Sequence, residues 1–190
     1  VESGDAVAIG IFNDERDPRE NLKDIPTFKE MGYDDIIIMA CDGSADKAHL
    51  QSLANMGIDA VQAYNWGNAA YSAAWNQQKI ADQQKNGAGV MHNVPTVSTG
   101  FNNIAWAYTR YPLITTENME QVLTWVRDSS LNKFEITVNG DEWKKKFVML
   151  STWNEYGEGT YMMPAGLNGF GYLDTVRKVF TKGTNHTAEQ

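Results

Sequence analysis

The sequence predicts an α/β protein organised on a parallel sheet, and three observations carry that reading. Short apolar runs of strand length alternate with helix-length amphipathic segments along the chain. The runs are mostly continuous and β-branched, as strands covered on both faces are. Each run leaves into a polar cluster rich in Asn, Asp and Gly, the punctuation of a loop at a strand's carboxyl end. About five strand–helix units result, roughly 25 to 30 residues apart except for a longer last step, and such units connect by right-handed crossovers. A closed eight-unit barrel needs roughly 250 residues, and the chain has 190. The units therefore form an open sheet or part of a barrel, in one domain over residues 1–190.

The first strand is Ala6-Val-Ala-Ile-Gly-Ile-Phe12, which exits into Asn13-Asp-Glu-Arg-Asp-Pro18. A short helix follows, capped by Asp24, with Ile25 and Phe28 on its inner face and Gly32 at its end. Asp35-Ile-Ile-Ile-Met-Ala40 is the second strand, with Cys41 and Asp42 at its exit. Ser44 is placed to cap the next helix, whose Leu50, Leu53 and Ala54 recur at i, i+3, i+4 and which Gly57 stops. The third strand, Ile58-Asp-Ala-Val-Gln-Ala-Tyr64, leaves into Asn65-Trp-Gly67. Tyr71 to Lys85 has no internal Gly or Pro and reads as a polar-faced helix closed by Gly87.

Val90 to Val97 forms the fourth strand, weakened by Pro95, which cannot donate a ladder hydrogen bond. It exits into Ser98-Thr-Gly-Phe-Asn-Asn103. Thr116 caps the next helix, with Met119, Val122, Leu123 and Val126 along one face. Phe134-Glu-Ile-Thr-Val-Asn-Gly-Asp141 alternates and then turns at Asn-Gly, a hairpin signal. The fifth strand is Phe147–Thr152, and a last helix carries Tyr172, Val176, Val179 and Phe180 on one face.

The composition, 42% hydrophobic and 21% charged, is that of a soluble globular chain with one sizeable core. A net charge of −8 and a pI near 4.8 exclude a nucleic-acid or anionic-membrane partner, which would require a basic stripe. Lys144-Lys-Lys146 beside Trp143 is read as a solvated strand edge that discourages aggregation. The single cysteine, Cys41, rules out an internal disulfide and reads as a small buried residue. No apolar run reaches ~18 residues and no charged-then-apolar leader opens the chain, so neither a membrane span nor a signal peptide is expected. Asn185-His-Thr187 fits a glycosylation sequon. His49 and His92 are scattered and His186 lies in a polar tail, so no metal is expected, and no cofactor is implied.

The chemistry concentrates in Ser151-Thr-Trp-Asn-Glu-Tyr-Gly-Glu-Gly-Thr-Tyr-Met-Met-Pro164, at the exit of the fifth strand. Glu155 and Glu158 stand three residues apart among Trp153, Tyr156 and Tyr161. Aromatic faces suit the apolar faces of pyranose rings, and two carboxyl groups in unlike surroundings can divide acid and base roles. The plainer alternative is that each Glu is a solvated loop residue. Asn13, Asp14, Asp42, Tyr64, Asn65, Trp66, Phe101 and Asn102 stand at the other strand exits. Each alone is explained by loop polarity or packing, and their shared place at strand exits is what singles them out as a set.

Trp153-Asn-Glu-Tyr-Gly-Glu-Gly-Thr160 and Gly171-Tyr-Leu-Asp174 resemble the WbsX-type glycosyltransferase-like proteins and their relatives in glycoside hydrolase family 99. Those proteins carry Trp-Asn-Glu-Trp-x-Glu-Gly-Thr, then a proline and a Tyr-Leu helix. Pro95-Thr-Val-Ser-Thr-Gly-Phe-Asn-Asn103 is similar to their Pro-x-Val-x-Pro-Gly-Trp-Asp-Asn segment, with Phe101 in place of Trp, Asn102 in place of Asp, and Arg110 the nearest following arginine. The resemblance implies a (β/α) barrel of which these units look like strands four to eight, the first three being absent. A missing N-terminal barrel half or a homo-oligomer would then complete the sheet.

The resemblance also implies endo-α-mannosidase chemistry with retained anomeric configuration on an oligosaccharide or polysaccharide substrate. For a bacterial protein that favours the periplasm or the extracellular space. Glu155 matches the base toward the sugar's own 2-hydroxyl, which forms an epoxide-like intermediate. Glu158 matches the acid that protonates the leaving oxygen and then activates water. Trp153, Asn154, Tyr156, Tyr64, Trp66, Phe101, Asn102 and Asp42 are the expected substrate contacts. Glycosyl transfer in polysaccharide assembly and glycan binding without cleavage are the alternatives. Transfer would need a donor-phosphate site, and no glycine-rich phosphate loop follows a strand.

Overall fold

The computed structural model describes residues 7–12, 30, 35–131, 136–138, 141–143 and 146–183. Asn13, Asp14, the helix expected over 24–32 apart from Glu30, Lys144, Lys145, the Asn139-Gly140 turn and the sequon with His186 lie outside them. The chain divides into two compact units. One comprises Val1–Ala63, Asp82–Val94 and Phe134–Lys146; the other comprises Tyr64–Ala81, Pro95–Lys133 and Phe147–Gln190.

The first unit is organised on a four-stranded sheet. β1 (Val7–Phe12), β2 (Asp35–Cys41), β3 (Ala60–Gln62) and β4 (His92–Asn93) lie in that spatial order. Every pairing is parallel, with Val7 opposite Asp35, Met39 opposite Ala60 and Ala60 opposite His92. Between β2 and β3 runs α1 (Lys47–Asn55). Its Leu50 joins Ile38, Ile58, Val61 and Met91 in a core cluster, with Leu53 and Ala54 packed against it, the face that the i, i+3, i+4 spacing predicts.

The cap of α1 is Asp46, not Ser44: Asp46 Oδ1 accepts the amide of His49 at 2.7 Å. Ser44 stands two residues earlier, where its hydroxyl accepts the Asp46 amide at 3.1 Å. Both residue types suit caps, and the helix takes the one three residues before a free amide. Gly57 ends the helix at φ +89, a conformation that glycine adopts without Cβ strain. The alternating run gives β8 (Ile136–Val138) and β9 (Asp141–Trp143), antiparallel with Val138 opposite Asp141.

The boundary between the units falls inside α2 (Ala73–Gly87) and again between Val94 and Pro95. The predicted fourth strand is accordingly two pieces, β4 and β5 (Thr96–Ser98). Pro95 has no N–H for the ladder, and its carbonyl instead accepts the amide of Met149 at 2.9 Å. The polar face read into α2 is only partly solvated. Asn76 and Gln83 are buried. Gln83 Nε2 donates to the carbonyls of Asp42 and Ser44 at 2.7 and 3.0 Å within the first unit. Asn76 Nδ2 donates to the Tyr71 hydroxyl at 2.9 Å within the second.

In the second unit β5 pairs in parallel with β10 (Met149–Ser151), Leu150 opposite Val97. β6 (Gly100–Asn102) turns back antiparallel to β7 (Arg110–Leu113), a hairpin absent from the sequence reading. Gly100, at φ +108, has no room for a side chain, because a Cβ would stand 2.4 Å from the Pro112 carbonyl oxygen. α3 (Thr116–Trp125) is capped by Thr115, one residue before the expected Thr116. It buries Met119, Val122 and Leu123, and Val126 continues that buried face into a π turn, Val126–Ser130. Two short strands, β11 (Asn154–Glu155) and β12 (Thr160–Tyr161), form an antiparallel hairpin. α4 (Gly171–Phe180) ends the unit, buried at Tyr172, Thr175 and Val179 and tied to α3 by Lys178 Nζ on Glu120 at 2.8 Å. The β1–β2, β2–β3, β3–β4 and β5–β10 pairings are all parallel, which bears out the α/β class.

Candidate functional site

β10 carries the chain to Ser151, whose peptide bond to Thr152 is cis. From there the motif folds into the β11–β12 hairpin around a single 3₁₀ turn, Tyr156–Glu158. Two features hold that turn. Thr152 donates its hydroxyl to the Thr160 carbonyl, stands 3.1 Å from the Thr160 hydroxyl, and accepts the Glu155 amide at 3.3 Å, which ties the start of the hairpin to its end. Gly159 closes the turn at φ +65, where a Cβ would stand 3.1 Å from both Cβ and O of Asn102. The position needs glycine twice over, for its backbone angle and for the close approach.

Glu158 is half-buried and Glu155 exposed. The Tyr64 hydroxyl, ninety-four residues earlier in the chain, donates to Glu158 Oε2. Burial pushes the Tyr64 phenol up to about 12; the bond to Glu158 and the negative charges of Glu158 and Glu155 add to the rise, and a hydrogen bond with Thr160 opposes it. Tyr64 therefore remains a proton donor well beyond neutral pH, and both carboxylates bear on it electrostatically.

Aromatic rings surround the pair. Trp153 is 55% exposed and Tyr156 is exposed beside Tyr161, ring centroids 5.0 Å apart and tilted. Asn154 is exposed on β11. Trp106, which the sequence reading passed over, is 64% exposed. Its Nε1 would stand 3.0 Å from a Cβ on Gly157, and Glu155 Oε1 would stand 3.2 Å from that same atom, so the indole edge and the carboxylate share one small space. No periodicity marks Ile104-Ala-Trp-Ala-Tyr108; an unpaired aromatic just past the Asn102-Asn103 loop was the available signal.

Other expected contacts have structural employment. Trp66 is 7% exposed and donates Nε1 to the Thr96 carbonyl at 2.8 Å, so its ring is packed instead of offered to solvent. Phe101 is half-buried; a Cβ on Gly67 would stand 2.4 Å from its Cβ, and its ring lies 6.5 Å from that of Tyr111. Asn102 turns its Oδ1 to the Ile104 amide at 3.3 Å. Asn65 Oδ1 accepts the Gly67 amide at 2.9 Å. Asp42 belongs to the other unit, where its carboxylate accepts the Ser44 amide at 2.7 Å and meets His49 Nε2 at 2.6 Å. Neighbouring Cys41 is half-buried and its thiol is pushed up by burial, the behaviour of an inert packing residue.

Among the described residues no group of three His, Cys, Asp or Glu could hold a metal ion. Among them, too, no helix is long and apolar enough to cross a membrane. The arrangement offers two carboxylates, one phenol donor and open aromatic faces. These are groups able to move protons at a ring-shaped polar substrate.

Residues 17–176 match the family described as Glycosyltransferase WbsX. No curated protein matches the chain. Among solved structures, the GH99 endo-alpha-mannosidase from Bacteroides thetaiotaomicron is similar at a TM-score of 0.53 and 12% identity, over 93% of this chain and 67% of that one. A complex of the GH99 endo-alpha-mannosidase from the same organism with BIS-TRIS-propane matches at a TM-score of 0.49 and 13% identity, over 84% of this chain and 60% of that one. At such identity the first likeness is one of fold.

Proposed function

Because the chain belongs to the WbsX glycosyltransferase family and is a carbohydrate-active α/β protein, we propose that it hydrolyses glycosidic bonds of the α-mannoside class through Glu155 and Glu158. The observation that carries this reading is the convergence at Tyr64, whose hydroxyl serves Glu158 while the charge of Glu155 also reaches it. In the scheme that the family resemblance implies, Glu155 takes the proton of the sugar's 2-hydroxyl. The freed oxygen attacks the neighbouring anomeric carbon, and the glycosidic oxygen leaves with a proton from Glu158. Water, deprotonated by Glu158, then attacks the anomeric carbon and opens the three-membered ring, and the released O2 takes back the proton held on Glu155, which restores both glutamates. Since Oε2 of Glu158 accepts from Tyr64, the proton for the leaving oxygen is carried on Oε1. Tyr64 acts here as a positioning residue, aiming one edge of the carboxyl group at the substrate.

Release of new reducing ends from α-mannan oligosaccharides, measured for the chain beside a Glu155→Gln, Glu158→Gln variant, tests the proposal. Cleavage by the unaltered chain and none by the variant is the expected result; equal release by both would remove the two glutamates from the chemistry. The same assay bears on architecture. The parallel strands are read as the last five of a (β/α) barrel, in keeping with a chain that spans 67% of its structural neighbour, and cleavage would mean that they suffice for a working site. The family's description favours glycosyl transfer as a second reading. Transfer from a nucleotide-activated sugar to an acceptor glycan, without new reducing ends, would distinguish it.

A further inference from the structure

Trp106 has a setting that its exposure alone does not explain. The loop carrying it is held from within by Asn103, which is buried. The Asn103 carbonyl accepts the amides of Trp106 at 3.1 Å and Ala107 at 2.8 Å, its own amide donates to the Thr109 carbonyl at 3.1 Å, and its Oδ1 accepts the Thr109 amide at 3.1 Å. Four hydrogen bonds at one residue tie down the backbone of the loop that carries the indole. Its Nε1 edge lies against Gly157, where a Cβ would stand 3.0 Å from Nε1 and 3.2 Å from Glu155 Oε1. The outer faces remain open, the ring being 64% exposed.

An indole left largely in solvent beside a carboxylate offers an apolar face that a ligand can cover. The neighbouring chemistry states what kind of cover fits. A pyranose presents C–H groups on its flat faces and hydroxyls at its rim, so one face can lie on an indole while the rim reaches Glu155. We propose that Trp106 is a sugar-stacking platform, forming a subsite for the ring adjacent to the one on which Glu155 acts. The inference rests on the glycan-cleaving reading above and extends it to substrate length.

The test is binding of α-mannan oligosaccharides of increasing length, by calorimetry, to the chain and to Trp106→Ala, Trp106→Phe and Tyr108→Ala. Tyr108, on the same loop and 98% exposed, controls for general stickiness of its aromatics. Affinity should rise as the oligosaccharide gains the platform's ring. Trp106→Ala should remove that increment, about tenfold in Kd for the covering of one ring face. Trp106→Phe should recover most of it and Tyr108→Ala should leave it intact. Binding that lengthens normally in Trp106→Ala overturns the platform while leaving the glycan reading standing. No binding of any oligosaccharide by the unaltered chain overturns both. The side chain of Trp106 is largely in solvent, so unchanged thermal unfolding in its variants separates a lost contact from a lost fold.

Discussion

At Tyr64 a phenol that is 38% exposed donates a hydrogen bond to Oε2 of a half-buried carboxylate, Glu158. Tyr64→Phe keeps the ring and removes only that donor. If Tyr64 positions Glu158 as proposed, the expected effect is a fall in kcat of about ten- to a hundredfold with KM nearly unchanged. Steady-state kinetics of reducing-end release would show the split, and a loss confined to KM would make Tyr64 a substrate contact instead. Glu155 and Glu158 were legible as candidates because carboxylates three residues apart among aromatics are uncommon company. Trp66 shows the opposite case. An indole at a strand exit reads as a platform, yet its N–H is spent on the Thr96 carbonyl and its ring is buried.

Helices show how far local pattern reaches. The buried faces of α1 and α3 follow the i, i+3, i+4 spacing, whereas their caps differ from expectation by one or two residues. A cap is chosen by which side-chain oxygen faces a free amide, and Ser44 and Asp46, or Thr115 and Thr116, are chemically alike in this respect. Asp46→Ala should cost about 1 kcal/mol of stability, the usual worth of a cap. Ser44→Ala should cost less, because its hydroxyl accepts only the amide of Asp46. Urea unfolding midpoints of the two variants check this, and a larger loss at Ser44 would reverse the assignment. The β6–β7 hairpin escaped notice for a related reason. Its strands are short and carry glycine and proline, Gly100 and Pro112, which read as loop.

For the molecule as a whole, phenols that the fold holds protonated contribute stability that alkali removes, Tyr71 and Tyr172 being buried and Tyr64 more exposed. Burial pushes Tyr71 up to about 12, its bonds to the Ser98 carbonyl and Asn76 opposing part of the rise, and Tyr64 is pushed to about the same value. A phenol whose folded pKa lies above its ordinary value of 10.0 binds its proton more tightly when folded. Its stabilisation is present in full below pH 10 and is lost as pH rises toward 12. For Tyr71, well buried, the loss is on the order of 2 to 3 kcal/mol. Urea unfolding at stepped pH should show stability declining through that window, with a shallower decline for Tyr71→Phe. A flat profile above pH 10 would mean that none of these phenols is held protonated by the fold.

The parallel α/β class, the buried faces of α1 and α3 and the position of the two glutamates follow from the sequence by itself. Their physical cause is local: burial writes an apolar run or a 3.6-residue period directly into neighbouring positions, and turn residues mark its ends. Tertiary structure alone decided that Tyr64 serves Glu158, that Trp106 stands beside Glu155, that Gln83 and Asn76 are interior anchors, and that Pro95 divides the fourth strand. Each depends on which distant segment the chain path brings alongside. A polar or aromatic side chain carries the same chemistry in sequence whether it ends in solvent, against a carbonyl or over a substrate, and only its neighbours in space distinguish the three.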